Sequence, residues 1–86
     1  MTVEFTRRFI RAYEQLRPEE PQAILQAVDR VQSDRDDPSL RTKKIQGRLD
    51  IWEVRASRDL RLTCQFAPDH IVFRVCGHHD EVLRRP

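Results

Sequence analysis

Residues 51–81 read IWEVRASRDLRLTCQFAPDHIVFRVCGHHDE, and this stretch decides the fold. Three runs within it, at residues 51–56, 60–66 and 71–75, alternate between apolar and polar side chains. Such alternation is typical of β-strands, because successive side chains point to opposite faces of a sheet. Residues 67–70 contain Pro and Asp, which favour a turn, so we predict that the last two strands form a hairpin.

The alternation also assigns each side chain to one of two faces. The face predicted to cover a core holds Trp52, Val54, Ala56, Leu60, Leu62, Cys64, Phe66, Ile71, Phe73 and Val75. The same parity places Arg55, Arg61 and Arg74 together on the second face, beside Glu53. A sheet that presents three guanidinium groups on one side is suited to binding an anion.

The N-terminal half predicts one strand and two helices. Residues 2–5 alternate between apolar and polar side chains, which indicates a short strand. Thr6 is a good helix N-cap, and the amphipathic helix that follows ends before Pro18. A second helix begins near residues 18–21, and the short join predicts an antiparallel helical hairpin. The apolar face of this helix consists of Ile24, Ala27, Val28 and Val31.

The region between the helices and the three strands is polar. Residues 33–50 lack periodicity, so we predict a long surface connection that Leu40 and Ile45 hold to the body. The order strand, helix, helix and three strands predicts an α+β fold, with an antiparallel sheet and both helices on its apolar face. The second face is expected to stay open to solvent. Residues 1–86 are expected to form a single domain.

The charges are unevenly distributed along the chain. Residues 1–40 contain six Lys or Arg against eight Asp or Glu, whereas residues 41–86 contain ten against six. A basic C-terminal half indicates a nucleic-acid or acidic partner. The cations just before the first arginine-bearing strand are Arg41, Lys43, Lys44 and Arg48.

Several classes of protein are disfavoured. No apolar run approaches the roughly 20 residues of a membrane span, and the N-terminus lacks a secretory signal, so we expect a cytoplasmic protein without a membrane partner. Cys64 and Cys76 fall on opposite predicted faces, which argues for reduced thiols rather than a disulfide. Adjacent residues such as His78, His79 and Asp80 do not converge as ligands, so no metal or other cofactor is expected.

Four short motifs follow residue 40. They are K-I-x-G at residues 44–47, I-W-E-V-R at 51–55, S-R-D-L-R-L at 57–62 and G-H-H-D-E at 77–81. In combination they resemble the RelE/ParE superfamily of bacterial toxin–antitoxin toxins, and the F-x-x-x-Y-x-x-L helix near the N-terminus is compatible with it. The resemblance implies the same α+β fold, a partner antitoxin encoded nearby, and inhibition of translation or of DNA gyrase.

The resemblance implies one of two activities. RelE-like members cut messenger RNA in the ribosomal A site without a metal, whereas ParE-like members poison gyrase and cut no RNA. Metal-free RNA cleavage requires groups that transfer protons to and from the reacting oxygens, and cations around the phosphorane. We favour a ribosome-dependent endoribonuclease that binds the ribosome and mRNA. The alternatives are a gyrase inhibitor and a degenerate toxin that only binds its antitoxin.

Residues on the second face and at its end are the candidates for this chemistry. Arg61 and Arg55 suit phosphate binding, although surface ion pairs with Glu53 or Asp59 would also account for them. His79 is the main candidate for proton transfer, and Glu53 shares the arginine face and is a candidate base. Further candidates for contacts with RNA or phosphate are Lys43, Lys44, Arg48, Arg74 and His78.

Two departures from the ribonuclease pattern keep the alternatives open. Many ribonuclease members carry a lysine where this chain has Glu53. Many also carry a tyrosine shortly after the last strand, where this chain has Val82 and Leu83. The acid–base set is therefore complete only if a histidine takes the place of the tyrosine.

Overall fold

A computed structural model describes residues 2–48 and 50–86 of the chain. The strands are β1 (Thr2–Phe5), β2 (Lys43–Lys44), β3 (Trp52–Arg55), β4 (Leu60–Ala67) and β5 (His70–His78); the helices are α1 (Arg7–Glu14), α2 (Pro21–Ser33), α3 (His79–Arg84) and a short 3₁₀ helix, Pro38–Leu40. Within these residues the strands form one five-stranded sheet in the order β1-β5-β4-β3-β2. The pairing of β1 with β5 is parallel and the other pairings are antiparallel, which confirms the predicted α+β fold.

The two long helices begin as the sequence predicts. The Thr6 hydroxyl oxygen accepts a hydrogen bond from the Phe9 amide and caps α1. Pro21 occupies the first turn of α2, where its missing N–H leaves no helical bond unmade. No described helix is long and apolar enough to cross a bilayer.

The core lies between α1, α2 and the first face of the sheet. Its buried members are Phe9, Ile24, Ala27, Val28, Val31, Leu40, Val54, Leu60, Leu62, Cys64, Ile71, Phe73 and Cys76. Burying one large apolar side chain of this kind contributes about 1.5–3 kcal/mol, so this layer dominates the stability of a small domain. The predicted inward residues Trp52, Ala56 and Phe66 are partly buried and pack against its edge.

A β-bulge interrupts the hairpin of β4 and β5. Thr63 pairs with Val75, whereas the next residue, Cys64, pairs with Phe73. Arg74 is therefore the extra residue on β5, with no residue opposite it on β4. One extra residue moves every later side chain of the strand to the other face, because side chains alternate with period two.

The bulge overturns two predictions about faces. Val75 does not join the core, because it lies opposite Thr63 on the second face. Cys76 does not lie on the second face, because its thiol is in the core and donates to the Phe9 carbonyl at 3.8 Å. Cys64 and Cys76 thus share a face, yet both are free thiols, as predicted. Burial raises the pKa of each thiol to about 12.

Helix α3, which the sequence analysis does not predict, packs on the second face. Val82 is 1% exposed, and a Cβ added at Gly77 would lie 3.7 Å from its Cγ2. Gly77 also has φ 147°, which a residue with a side chain rarely adopts. Beyond the helix, the Pro86 carbonyl accepts a hydrogen bond of 2.9 Å from the Thr63 hydroxyl. The prediction that this face is open to solvent is wrong at its centre, where Thr63 and Glu53 are buried.

The predicted surface connection contains an additional strand. Lys43 and Lys44 of β2 pair with Glu53 and Trp52 of β3 and form one edge of the sheet. Leu40, the last residue of the 3₁₀ helix, is 1% exposed and holds the connection to the body, as predicted. Residue 49 of the connection lies outside the described residues.

Candidate functional site

Arg55 and Arg61 form a cross-strand pair beside the β3–β4 turn. One terminal nitrogen of Arg61, Nη1, donates to the carbonyls of Ser57 at 2.7 Å, Leu60 at 3.0 Å and Arg58 at 3.1 Å. Arg55 Nε donates to the same Ser57 carbonyl at 3.4 Å. The two guanidinium groups therefore converge on a single turn, as the strand parity predicts.

Both arginines keep their positive charge available. The ion pairs within residues 2–48 and 50–86 involve Lys43, His70, His78 and His79, and none involves Arg55 or Arg61. The ion pairs with Glu53 or Asp59 that the sequence allows are thus not formed. Like charges that lie directly opposite each other on a sheet repel. The carbonyls that accept hydrogen bonds from the two arginines are neutral, so they do not cancel this repulsion. This arrangement suits an anionic ligand.

Glu53 lies in the buried middle of the same face. The residue is 3% exposed, and its Oε1 lies 3.5 Å from Lys43 Nζ. The other carboxylate oxygen, Oε2, is buried and has no hydrogen-bond partner among the described residues. Glu53 shares the arginine face, as predicted, but it lies beneath that surface rather than on it. Its position suits holding Lys43 in place better than taking a proton from a substrate.

His79 stands where β5 passes into α3. Its amide donates to the Asp59 carbonyl at 2.9 Å, which ties it to the β3–β4 turn beside Arg61. Its Nδ1 lies 3.2 Å from the Asp80 carboxylate, which leaves Nε2 as the ring nitrogen for a substrate. A cavity of about 430 Å³ opens here, lined by Asp59, His78, His79, Asp80, Glu81 and Arg84.

Asp59 is a functional candidate that the sequence analysis missed. Its side chain is exposed and lines the cavity with His79. In the sequence it appears only as an ion-pair partner for the arginines. A regular hairpin would place Asp59 opposite His78, and only the bulge at Arg74 brings it opposite His79, so the sequence gives no signal for this pairing.

His78 makes a different contact from its neighbour. Its Nε2 lies 2.8 Å from Glu20 Oε2 at the start of α2. A hydrogen bond from the Arg17 amide, and to a smaller extent the nearby His78, lowers the pKa of Glu20. His78 therefore links the end of β5 to the helical layer, and its contact with RNA stays a prediction.

Two predicted phosphate contacts lie in another region of the second face. A cavity of about 170 Å³ is lined by Arg8, Arg48, Ile51, Arg74, Arg85 and Pro86. We call this cavity the arginine pocket. It brings together Arg48 and Arg74, two of the candidates for phosphate contacts, with Arg8 and Arg85, which the sequence does not place near them.

Seven of the nine predicted site residues thus occupy three places rather than one, and His78 and Lys44 lie outside them. The three places are the turn with Arg55, Arg61 and the adjacent His79; the strand pair Lys43 and Glu53; and the arginine pocket with Arg48 and Arg74. Lys44 is exposed on the edge strand. Within the described part of the chain, no three His, Cys, Asp or Glu side chains converge as metal ligands.

Comparisons with known proteins give a match at the level of the fold. No protein-family model and no curated protein matches the chain. The E. coli DinJ–YafQ complex matches with a TM-score of 0.80 and 12% identity, over 93% of this chain and 94% of that one. The RelB–RelE antitoxin–toxin complex from Methanococcus jannaschii has a TM-score of 0.74 and 19% identity, over 96% and 99%.

A YoeB/ParE toxin from Agrobacterium tumefaciens extends the comparison. Its TM-score is 0.76 with 13% identity, over 92% of this chain and 99% of that one. All three structures are similar along almost their whole length, although few residues are identical. The chain therefore has the fold of the RelE-like toxins.

Proposed function

We propose that this chain is the toxin of a toxin–antitoxin module and that it cleaves messenger RNA on the ribosome. The observation that carries the proposal is the Arg55–Arg61 pair, which has no acidic partner among the described residues and lies beside His79. The RelE-like fold supports the toxin role, and the side chains at this turn supply the chemistry.

The proposed reaction uses the 2′-hydroxyl of the RNA itself. The 2′-oxygen attacks the adjacent phosphorus, and the bond from phosphorus to the 5′-oxygen breaks. Asp59 accepts the proton of the 2′-hydroxyl, and a protonated His79 donates a proton to the leaving 5′-oxygen. Arg55 and Arg61 bind the non-bridging oxygens and stabilise the charge that builds up on them. The products are a 2′,3′-cyclic phosphate and a 5′-hydroxyl.

Induced expression in a bacterial host tests this proposal. The wild type is expected to arrest growth and to produce new cuts within the codons of a translated transcript, mapped by primer extension. Arg61→Ala and His79→Ala are each expected to lower cleavage by at least about 100-fold, because each removes a group that acts in the transition state. Arg58→Ala and His70→Ala are matched controls, since Arg58 is exposed in the same turn and His70 lies at the other end of β5.

The outcomes separate the candidates. Cuts that persist in both Arg61→Ala and His79→Ala would contradict the assigned site. Arrest of growth with intact messages and an induced DNA-damage response would instead identify a gyrase inhibitor. No arrest by a folded wild-type protein would identify a degenerate toxin that binds only its antitoxin.

Two observations keep the gyrase inhibitor as the second candidate. Glu53 places a buried carboxylate, rather than a cation, in the middle of the arginine face. In addition, Val82 is buried over Gly77 in the short helix where a ribonuclease of this fold often carries a tyrosine. A surface of arginines without a complete acid–base set would suit binding a protein target better than cutting RNA.

An antitoxin is the proposed protein partner. Two of the similar structures are the DinJ–YafQ complex and the RelB–RelE antitoxin–toxin complex. The basic half of this chain favours an acidic antitoxin segment that covers Arg55, Arg61 and Arg74. Charge reversal by Arg55→Glu with Arg61→Glu is expected to weaken co-purification with the product of a small neighbouring reading frame. An antitoxin that still binds the double variant as tightly would contradict this placement.

A further inference from the structure

The arginine pocket concentrates positive charge from four parts of the chain. Arg8 comes from α1, Arg48 precedes β3, Arg74 is the bulge residue of β5, and Arg85 follows α3. No ion pair within residues 2–48 and 50–86 includes any of them. Burial, followed by the charges of Arg85 and Arg74, lowers the pKa of Arg8. The cations therefore repel one another, and a bound anion would relieve that repulsion.

Two main-chain oxygens and one side-chain amide oxygen hold two of the four guanidinium groups in position. Arg74 Nε donates to the Pro86 carbonyl at 3.2 Å, and its Nη1 donates to Gln65 Oε1 at 2.9 Å. Arg8 Nη2 donates to the Arg85 carbonyl. The Gln65 amide oxygen and the Arg85 carbonyl are neutral, so they fix the direction of the guanidinium groups without cancelling their charge. A site arranged in this way loses little side-chain entropy when an anion binds.

The other two cations are available to a ligand. Arg48 and Arg85 are exposed, and neither side chain donates a hydrogen bond to another described residue. Four guanidinium groups offer more N–H donors than a single carboxylate can accept, whereas a phosphate binds arginines in a bidentate manner through several oxygens. The volume of about 170 Å³ has room for a phosphate group with bound water.

The pocket also lies on the same sheet face as the proposed cleavage site. Gln65, which bonds to Arg74, is four residues along β4 from Arg61, and both point to the second face. Four residues of a strand span about 13 Å. A few nucleotides of single-stranded RNA bridge such a distance.

We infer that the arginine pocket binds a backbone phosphate of the same RNA strand whose scissile phosphate lies at Arg55 and Arg61. This inference rests on the proposed function and adds a second phosphate site a few nucleotides from the bond that is cut. Such a site positions the strand and is not itself catalytic, because contacts with the backbone fix the register without reading the bases.

Binding of an uncleavable RNA tests the inference without relying on activity. The probe is a short single-stranded RNA whose 2′-oxygens are methylated, so that none of them can attack phosphorus. Arg48→Gln and Arg85→Gln are each expected to weaken binding about 3- to 10-fold at low salt. Each is also expected to reduce the slope of log affinity against log salt by about 0.7, the value for one lost phosphate contact on a single strand. Arg11→Gln, an exposed arginine of α1 outside the pocket, is the matched control.

The same titration followed by NMR locates the contact. Shifts of the Arg8 and Arg74 Nε–H signals on addition of the RNA would support the pocket. Equal affinities and equal salt slopes for Arg48→Gln, Arg85→Gln and Arg11→Gln would overturn it, as would failure of the wild type to bind the RNA. Shifts of these signals with polyglutamate but not with the RNA would also overturn it, in favour of an acidic protein partner.

The two proposals fail in different ways. If messages are cut in cells but the pocket variants bind the probe like Arg11→Gln, the proposed ribonuclease activity is supported and the second phosphate site is contradicted. If no message is cut but Arg48→Gln and Arg85→Gln weaken binding, the pocket is supported as an RNA-binding site and the proposed cleavage is contradicted.

Discussion

Glu20 and His78 join the helical layer to the end of the sheet, with Glu20 Oε2 2.8 Å from His78 Nε2. The other oxygen of the same carboxylate, Oε1, accepts a hydrogen bond of 2.8 Å from the Arg17 amide. One side chain thus closes the turn before α2 and holds the residue that precedes His79. The position of the proposed proton donor therefore depends on a contact made on the other side of the sheet.

This link predicts how stability depends on pH. The pKa of Glu20 is lowered in the folded protein, so its contribution is present above the ordinary pKa of a glutamate and is lost as the pH falls through the folded value. Glu20→Gln is expected to be less stable than the wild type near neutral pH, and the difference is expected to vanish in acid. Urea unfolding at the two pH values measures it. Glu19→Gln, its exposed neighbour, is the control, and a difference that is the same at both pH values would contradict the prediction.

Arg61 is expected to contribute to stability as well as to phosphate binding. Its Nη1 donates to three carbonyls of the β3–β4 turn, and removing a charged donor from such acceptors costs about 1–3 kcal/mol. Arg61→Ala should therefore lower the free energy of unfolding by about that amount, measured by urea denaturation. Arg58→Ala, in the same turn but exposed, should change it by less than about 0.5 kcal/mol. Equal effects of the two substitutions would show that Arg61 does not stabilise the turn.

The pair of Lys43 and Glu53 predicts a coupling that a double-mutant cycle can measure. Lys43→Ala leaves the buried Glu53 carboxylate without its cation, and is expected to destabilise the protein by about 1–3 kcal/mol. In a Glu53→Gln background the same substitution should cost little. Lys44→Ala serves as the control, because Lys44 is its exposed neighbour on the same strand. Additive effects of Lys43→Ala and Glu53→Gln would contradict the coupling.

The two cysteines are expected to be inert in the folded protein. Burial raises the pKa of Cys64 and Cys76 to about 12, so at pH 8 about one thiol in 10⁴ is ionised. A chromogenic disulfide reagent should therefore modify neither thiol in native buffer and should modify both in denaturant. Rapid reaction of one thiol under native conditions would show that the sheet opens near that residue.

Local patterns predicted the elements that are marked by a clear alternation, a helix cap or a turn in their own sequence. The alternation in β3 and β4, the Thr6 cap of α1 and the turn of the last hairpin all depend on residues close together in the chain. The bulge at Arg74 was missed because Ile71, Phe73 and Val75 alternate without any visible interruption. Helix α3 was missed because its six residues follow directly on β5 and are too few to show a helical period.

The candidate site likewise has a part that local patterns predict and a part that they do not. Parity alone brought Arg55 and Arg61 together, since they lie on neighbouring strands of one hairpin. The burial of Glu53 depends on what covers the second face, so its own strand gives no sign of it. Arg8 and Arg85 enter the arginine pocket from opposite ends of the chain. No local pattern connects residues that are so far apart.

The bulge at Arg74 also decides how this chain is compared with its structural relatives. If Arg74 were deleted, β5 could form a regular ladder in which Phe73 still lies opposite Cys64 and Val75 opposite Thr63, so every later side chain would keep its face. If Arg74 were kept and the bulge closed, every later side chain would change faces. Cys76 would then leave the core, Gly77 would no longer lie under Val82, and His79 would turn away from the β3–β4 turn. When the chain is aligned with a toxin that lacks the bulge, a gap therefore belongs at Arg74, and with that gap the residues on both sides can be compared by position.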